Sequence, residues 1–160
     1  MTSNGTSLAN ASTSTALWLL VICAAVNLYL LGAAAILQVV QYPLLGDVGG
    51  SALPSVHAAL TRRLGVVFIL PEFLAFLSVL PLFWLRPPEL PAVAVWACLA
   101  LGIAYFVITF GWHLPAHKLL STGDSSTAAL RKLLVSHAAR TTTVALKCGI
   151  LLWMIAVARR

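Results

Sequence analysis

The sequence predicts an all-α integral membrane protein, an antiparallel four-helix bundle. Three observations predict it. The 160 residues are 61% hydrophobic and only 9% charged, against about 25% charged in soluble domains. Apolar stretches of roughly the 20 residues that cross a bilayer recur four times and leave little chain over. Trp18, Trp84, Trp96 and Trp153 fall at one end of those stretches and Tyr42 and Trp112 at the other, as in the aromatic belts of membrane proteins. A surface this poor in charge needs lipid around it, so the bilayer is the first partner. The net charge of +6 comes from Arg and Lys mostly at segment ends, where they reach headgroups, and no nucleic-acid partner is expected.

The elements follow in order. Residues 1–15 are polar, uncharged and rich in Ser and Thr. They read as a disordered tail before a single transmembrane domain, 16–160. No basic region precedes an apolar core, so no signal peptide is expected. Asn4-Gly5-Thr6 and Asn10-Ala11-Ser12 are glycosylation sequons. The first span is placed at 16–41, with Gly32 for close helix approach and Asn27 for an interhelical hydrogen bond. Tyr42-Pro43 should stop it. After a short loop, 44–54, Ser55 is the expected N-cap of a helix that takes in His57, Arg62 and Arg63. Its membrane-crossing part is 63–85, kinked at Pro71. The stiff loop RPPELP, 86–91, returns the chain into a third span at 92–112. The stretch 114–136 reads as the longest connection, its second half helical from a cap at Ser125 or Ser126. The fourth span is placed at 137–158. Cys23, Cys98 and Cys148 lie in apolar segments without metal spacing and read as small buried hydrophobes. No internal repeat is evident.

The polar residues concentrate at one end of this bundle. His57 opens the second span, His113 and His117 close the third, and His137 opens the fourth. Glu72 lies roughly 22 Å further in along its helix and Lys147 roughly 15 Å further in along its own. Entering from the same face, Glu72 and Lys147 are expected to pair by depth; a pair that only fixes helix register could use Lys147 or Arg140. Tyr105, Thr109 and His113 share one helical stripe, as do His137, Arg140, Val144 and Lys147. An ionisable side chain inside a membrane costs several kcal/mol and faces a cavity or a partner, so Glu72, Arg140, Lys147 and Tyr105 are the candidate catalytic residues. Imidazole is the commonest metal ligand, so His57, His113, His117 and His137 are candidate ligands of a transition metal or haem. Pro115 lies between His113 and His117 and should break their helix. Basic residues in loops are slightly more numerous at the histidine end, which the positive-inside rule makes cytoplasmic.

Several strings carry a resemblance: VVQYPLLGDVG (39–49), VHAALTRR (56–63), LPEFLAF (70–76), HLPAHKLLSTGD (113–124) and LLVSHAART (133–141). Over most of residues 38–147 the chain resembles a group of small bacterial four-span membrane proteins without an established function. Its second half is similar to the anthrone-oxygenase-like membrane family. The resemblance implies a bacterial plasma-membrane location and marks His57, Glu72, Pro115, His117, Arg140 and Thr141 as family positions. The chain departs from the pattern at Gln41, where a His is expected, at Leu60, where a polar residue is expected, and at His137-Ala138, which replaces an Asn-Trp-like pair.

Two functions are compatible with these residues. One is a metal- or haem-dependent oxidoreductase acting on a hydrophobic substrate, with Glu72 as proton acceptor, Arg140 holding an anionic group and Tyr105 donating a proton. The other is a non-enzymatic membrane subunit or binding protein whose polar cluster fixes packing or docks a partner chain. A proton-coupled transporter comes third, since four spans would need to form a homo-oligomer.

Overall fold

The computed structural model describes residues 3–48, 50–124 and 126–160, with backbone alone for residues 3–13 and Gly50. Four helical runs, Ser14–Asp47, Leu53–Leu85, Ala92–Ser121 and Thr127–Ala158, are long and apolar enough to cross a membrane. No strand occurs among the described residues. At most 33% of the most apolar window of any span is buried inside the protein. The outward remainder includes Val66, Val39, Leu70 and Ile69, side chains that lipid accepts and water does not. Trp18, Trp84, Trp96 and Trp153 are likewise exposed. Short connectors reverse the chain three times, giving the four-helix bundle that the sequence predicts.

The backbone from Ser3 onward belongs to α1 (Ser3–Ile36), and the first two residues of the polar tail lie outside the described ones. Neither proline expected to end a helix does so. A π-helical turn (Leu37–Gln41) joins α1 to α2 (Tyr42–Asp47). The next helices are α3 (Leu53–Leu77), α4 (Leu82–Leu85) and α5 (Ala92–Ile108). A second π-helical turn (Thr109–His113) joins α5 to α6 (Leu114–Ser121). In each turn the residue before proline gives its N–H to a carbonyl five positions back: Tyr42 to Leu37, Leu114 to Thr109. A proline has no N–H, and its ring crowds the carbonyl one turn earlier. Widening the turn by one residue absorbs that crowding and lets the helix run on. The first and third spans are therefore longer than expected, and His113 and His117 occupy neighbouring turns of one rod.

Other boundaries shift for local reasons. Ala52, at the end of a 3-10 turn (Gly50–Ala52), is the N-cap of α3. Ser55 lies inside the first turn and donates its hydroxyl to the Ala52 carbonyl at 2.9 Å. Pro71 lies within α3, and the helix is interrupted further on, before α4. The last helix, α7 (Thr127–Ala158), starts well before residue 137. Ser126 caps it, accepting from the Ala129 N–H at 3.2 Å.

Packing fixes which faces look inward. α7 lies against both α1 and α5, and α3 lies against α1 and α6. One apolar layer, with Leu30, Leu53, Phe68, Leu133 and Val144, fills the histidine half of the bundle. A second, with Leu20, Val79, Leu82, Val95, Leu151 and Met154, fills the other half. The three cysteines are buried and unbridged within these layers. Gly32 faces open space, so it supports no close approach. Gly102 does: a Cβ there would stand 2.8 Å from Cδ2 of Phe76. Asn27 bonds within its own helix, Nδ2 to the Cys23 carbonyl at 2.7 Å, and not across to a neighbour.

The two hairpins share local devices that composition does not reveal. Each odd-numbered span carries a π-helical turn immediately before an x-Pro step. Each even-numbered span carries His-Ala-Ala-x-Thr, at 57–61 and at 137–141. In both, the Thr Oγ donates back to the His carbonyl, at 2.8 Å for Thr61 and 2.9 Å for Thr141.

The contrast between the glycines gives a test. Gly102→Ala should destabilise the bundle by about 1–3 kcal/mol, the usual cost of overpacking. Gly32→Ala should be neutral or stabilising by up to ~1 kcal/mol through helix propensity. Thermal unfolding of both variants in one detergent checks the order.

Candidate functional site

Three polar tiers descend from the histidine end. The first gathers Tyr42 at the head of α2, His57 on α3, His113 in the second π-helical turn and His117 on α6. His57 and His113 are almost wholly buried. His57 Nε2 and His117 Nδ1 are 2.8 Å apart. His117 Nε2 is 3.1 Å from His113 Nε2, and the Tyr42 hydroxyl lies 3.3 Å from the former and 3.5 Å from the latter. Ser136 gives its own proton to the Leu133 carbonyl at 2.9 Å. Its oxygen can therefore only accept from His113 Nδ1, 3.0 Å away. That bond sets the tautomer: neutral His113 carries its proton on Nδ1 and turns the bare Nε2 lone pair toward Tyr42 and His117.

His137 stands apart from this trio. Its Nε2 lies 3.0 Å from the Ala34 carbonyl, and its Nδ1 is buried without a partner. It meets Tyr42 edge-on, with ring centroids 4.9 Å apart. The four histidines thus form one cluster but do not point at one centre. Among the described residues, no three His, Cys, Asp or Glu side chains converge as metal ligands.

The second tier joins three spans. Arg140 Nη2 donates to Glu72 Oε1 at 2.6 Å, and Tyr105 donates its hydroxyl proton to the same oxygen at 2.5 Å. Arg140 also donates to the Tyr105 hydroxyl and lies over its ring, 4.6 Å from the centroid. The Glu72–Lys147 pair expected from depth does not form: the carboxylate is taken by Arg140, which was the alternative, and Lys147 bonds to a backbone carbonyl instead. Arg140 is 7% exposed, and its Nε is buried without a partner.

Lys147 forms the third tier. Its Nζ donates to the Ala75 carbonyl at 2.6 Å. A cavity of about 20 Å³ separates it from the second tier, lined by Asn27, Glu72, Tyr105 and Lys147 among others. That volume, with several polar neighbours, accommodates a single water.

A larger cavity of about 250 Å³ opens beside the first two tiers. It lies where α3 and the third span separate, between the α3–α6 contact above and Phe76 on Gly102 below. Leu37, Leu64, Phe68, Ile69 and Leu114 make its apolar walls, and Glu72, Arg140, His113, His117 and Tyr42 its polar end. Thr61, Ile69 and Leu114 on its rim are exposed, so it opens on the outer surface of the bundle.

The sequence-predicted residues Glu72, Tyr105 and Arg140 therefore meet, His57, His113 and His117 meet, and Lys147 lies one layer deeper. Tyr42 and Ser136 were missed as site residues. Tyr42 reads as a belt aromatic until the π-helical turn is known to carry it inward. Ser136, directly before His137, offered a signal only through its adjacency to the histidine.

The buried ion pair yields a prediction. Glu72→Leu or Arg140→Met alone should cost about 3–5 kcal/mol, because each strands a buried charge. The double variant should recover most of that loss. A denaturing-detergent titration of the four proteins measures the coupling. No family model, no curated protein and no solved structure matches the chain, so what stands of the resemblance is the architecture: four apolar helices compatible with a small four-span membrane protein.

Proposed function

We propose that this chain is a membrane-embedded oxidoreductase in which a bound transition-metal ion would supply the electron transfer that its acid, base and cationic side chains cannot. It draws a small apolar molecule with a hydroxyl or carbonyl head, of the phenol or quinone class, from the bilayer into the 250 Å³ cavity. The observation that carries the reading is the Glu72–Tyr105–Arg140 triad beside a cavity with apolar walls on one side, a polar end on the other and an exposed rim. Binding sites for small molecules have this build, apolar walls with a few convergent polar groups. The Arg140 guanidinium, which lines the cavity, would hold the head oxygen with a charge-assisted bond. Glu72 is the proton acceptor and Tyr105 the group that relays a proton to it. Lys147, beyond the water-sized cavity, is the next station inward. The cavity is smaller than the roughly 300–1,000 Å³ of sites for drug-sized ligands. It suits a head of one or two rings and is too small for haem. The resemblance and the loop charges put the protein in a bacterial plasma membrane with the histidine end cytoplasmic.

A second reading has one observation in its favour. The closed Glu72–Arg140 pair would fix helix register in a non-enzymatic subunit, which needs no ligand. Gly65 separates the two. It lines the cavity, and a Cβ there meets only Ile69 Cδ1 at an ordinary 3.6 Å. Gly65→Leu should therefore fill the cavity while leaving the fold intact. In lipid nanodiscs, 1-naphthol or 1,4-naphthoquinone should bind saturably to the wild-type protein. The variant should bind about tenfold more weakly or worse, read by calorimetric titration. Absence of saturable binding, or equal affinity in the two proteins, favours the packing subunit.

A further inference from the structure

We infer that Tyr42 Oη, His113 Nε2 and His117 Nε2 are the three protein ligands of a single transition-metal ion at the polar end of the cavity. The three atoms form a triangle with sides of 3.1, 3.3 and 3.5 Å. Two ligands bound at about 2.0–2.1 Å to a tetrahedral ion lie about 3.3–3.4 Å apart. The triangle thus has the size of one face of such a coordination sphere. Its vertices come from α2, the second π-helical turn and α6. The two turns widened before Pro43 and Pro115 are what bring the phenol and the two imidazoles to one level.

The surroundings match those of metal-bound histidines, whose second nitrogen is held by a neighbour that fixes ring and tautomer. His113 Nδ1 is held by Ser136, which leaves Nε2 unprotonated and aimed into the triangle. His117 Nδ1 is held by His57 Nε2. His117 is prepared when it carries its proton on Nδ1 and donates to a bare His57 Nε2, so that His57 holds its own proton on Nδ1; the Nε2 lone pair of His117 is then free for the ion, and Tyr42 releases its phenol proton to solvent on binding. His57 is thereby a positioning residue. His137, bonded to the Ala34 carbonyl, is outside the set. All three ligands line the cavity. A fourth coordination position is left on that side, as in catalytic and not structural sites. Two imidazoles and a phenolate suit a borderline ion such as copper(II), iron or zinc, and copper(II) heads the affinity order.

This inference stands on the triangle and its supports, independently of the ligand class proposed above. Metal-stripped protein in nanodiscs is loaded with copper(II), desalted and analysed for metal content and visible absorption, with circular dichroism confirming the fold of each variant. About one copper per chain is expected, with a phenolate-to-copper charge-transfer band. Tyr42→Phe should lose the band. His113→Ala and His117→Ala should lose the stoichiometric metal. Ser136→Ala should weaken binding about 10–100-fold, as loss of an outer partner does. His137→Ala and Gly65→Leu should retain metal and band. Trace copper in the wild type overturns the inference. So does wild-type affinity in the folded His117→Ala variant, or an unchanged band in Tyr42→Phe.

Discussion

The organising constraint is the cost of charge in hydrocarbon. Glu72 sits on the inner face of the second span, and Arg140 and Lys147 on that of the fourth. Each would cost about 2.5–3.5 kcal/mol at mid-membrane on insertion scales if left alone. The bundle answers by closing Arg140 onto Glu72 and Tyr105, and Lys147 onto the carbonyl of Ala75. Those bonds cross between α3, α5 and α7, so they set the rotation of all three helices about their axes. The apolar layers then fill in around a polar axis.

The same axis explains where the cavity lies. α3 and the third span approach through α6 and again where Phe76 rests on Gly102, and they part between. Glu72 and Arg140 of the second tier line the gap, with His113, His117, His137 and Tyr42 at its buried polar end. A gap at that depth filled by leucine or phenylalanine would make a tighter bundle. Gly65 and Thr61 on its wall leave room instead.

Much of this was legible in the chain. Four spans follow from composition and length alone, because hydropathy over some twenty residues is a strong signal. The inward stripe of His113, Tyr105, Arg140 and Lys147 follows from helical spacing. The helix ends did not follow. Tyr42-Pro43 and Leu114-Pro115 carry the ordinary signature of a stop, and only the backbone reveals that a wider turn accommodates each proline. That single local event misplaced Tyr42, which became a belt residue in the linear reading. It also made His113 and His117 look separable. The partner of Glu72 was misread: depth along two helices pointed to Lys147, but the choice depends on helix rotation, which gives the carboxylate to Arg140.

The division of partners between the two hairpins bears on how the protein is made. The first hairpin carries Glu72, Tyr42 and His57; the second carries Tyr105, His113, His117 and Arg140. When the ribosome has delivered only the first, its carboxylate lacks Arg140, the cation that meets it in the bundle. That hairpin is then poorly suited to leave the insertion machinery for open lipid. Release of α3 should wait for α7, which carries Arg140. A bundle of four short-looped helices, which by topology could assemble two by two, is thus constrained by one carboxylate to be inserted as a unit.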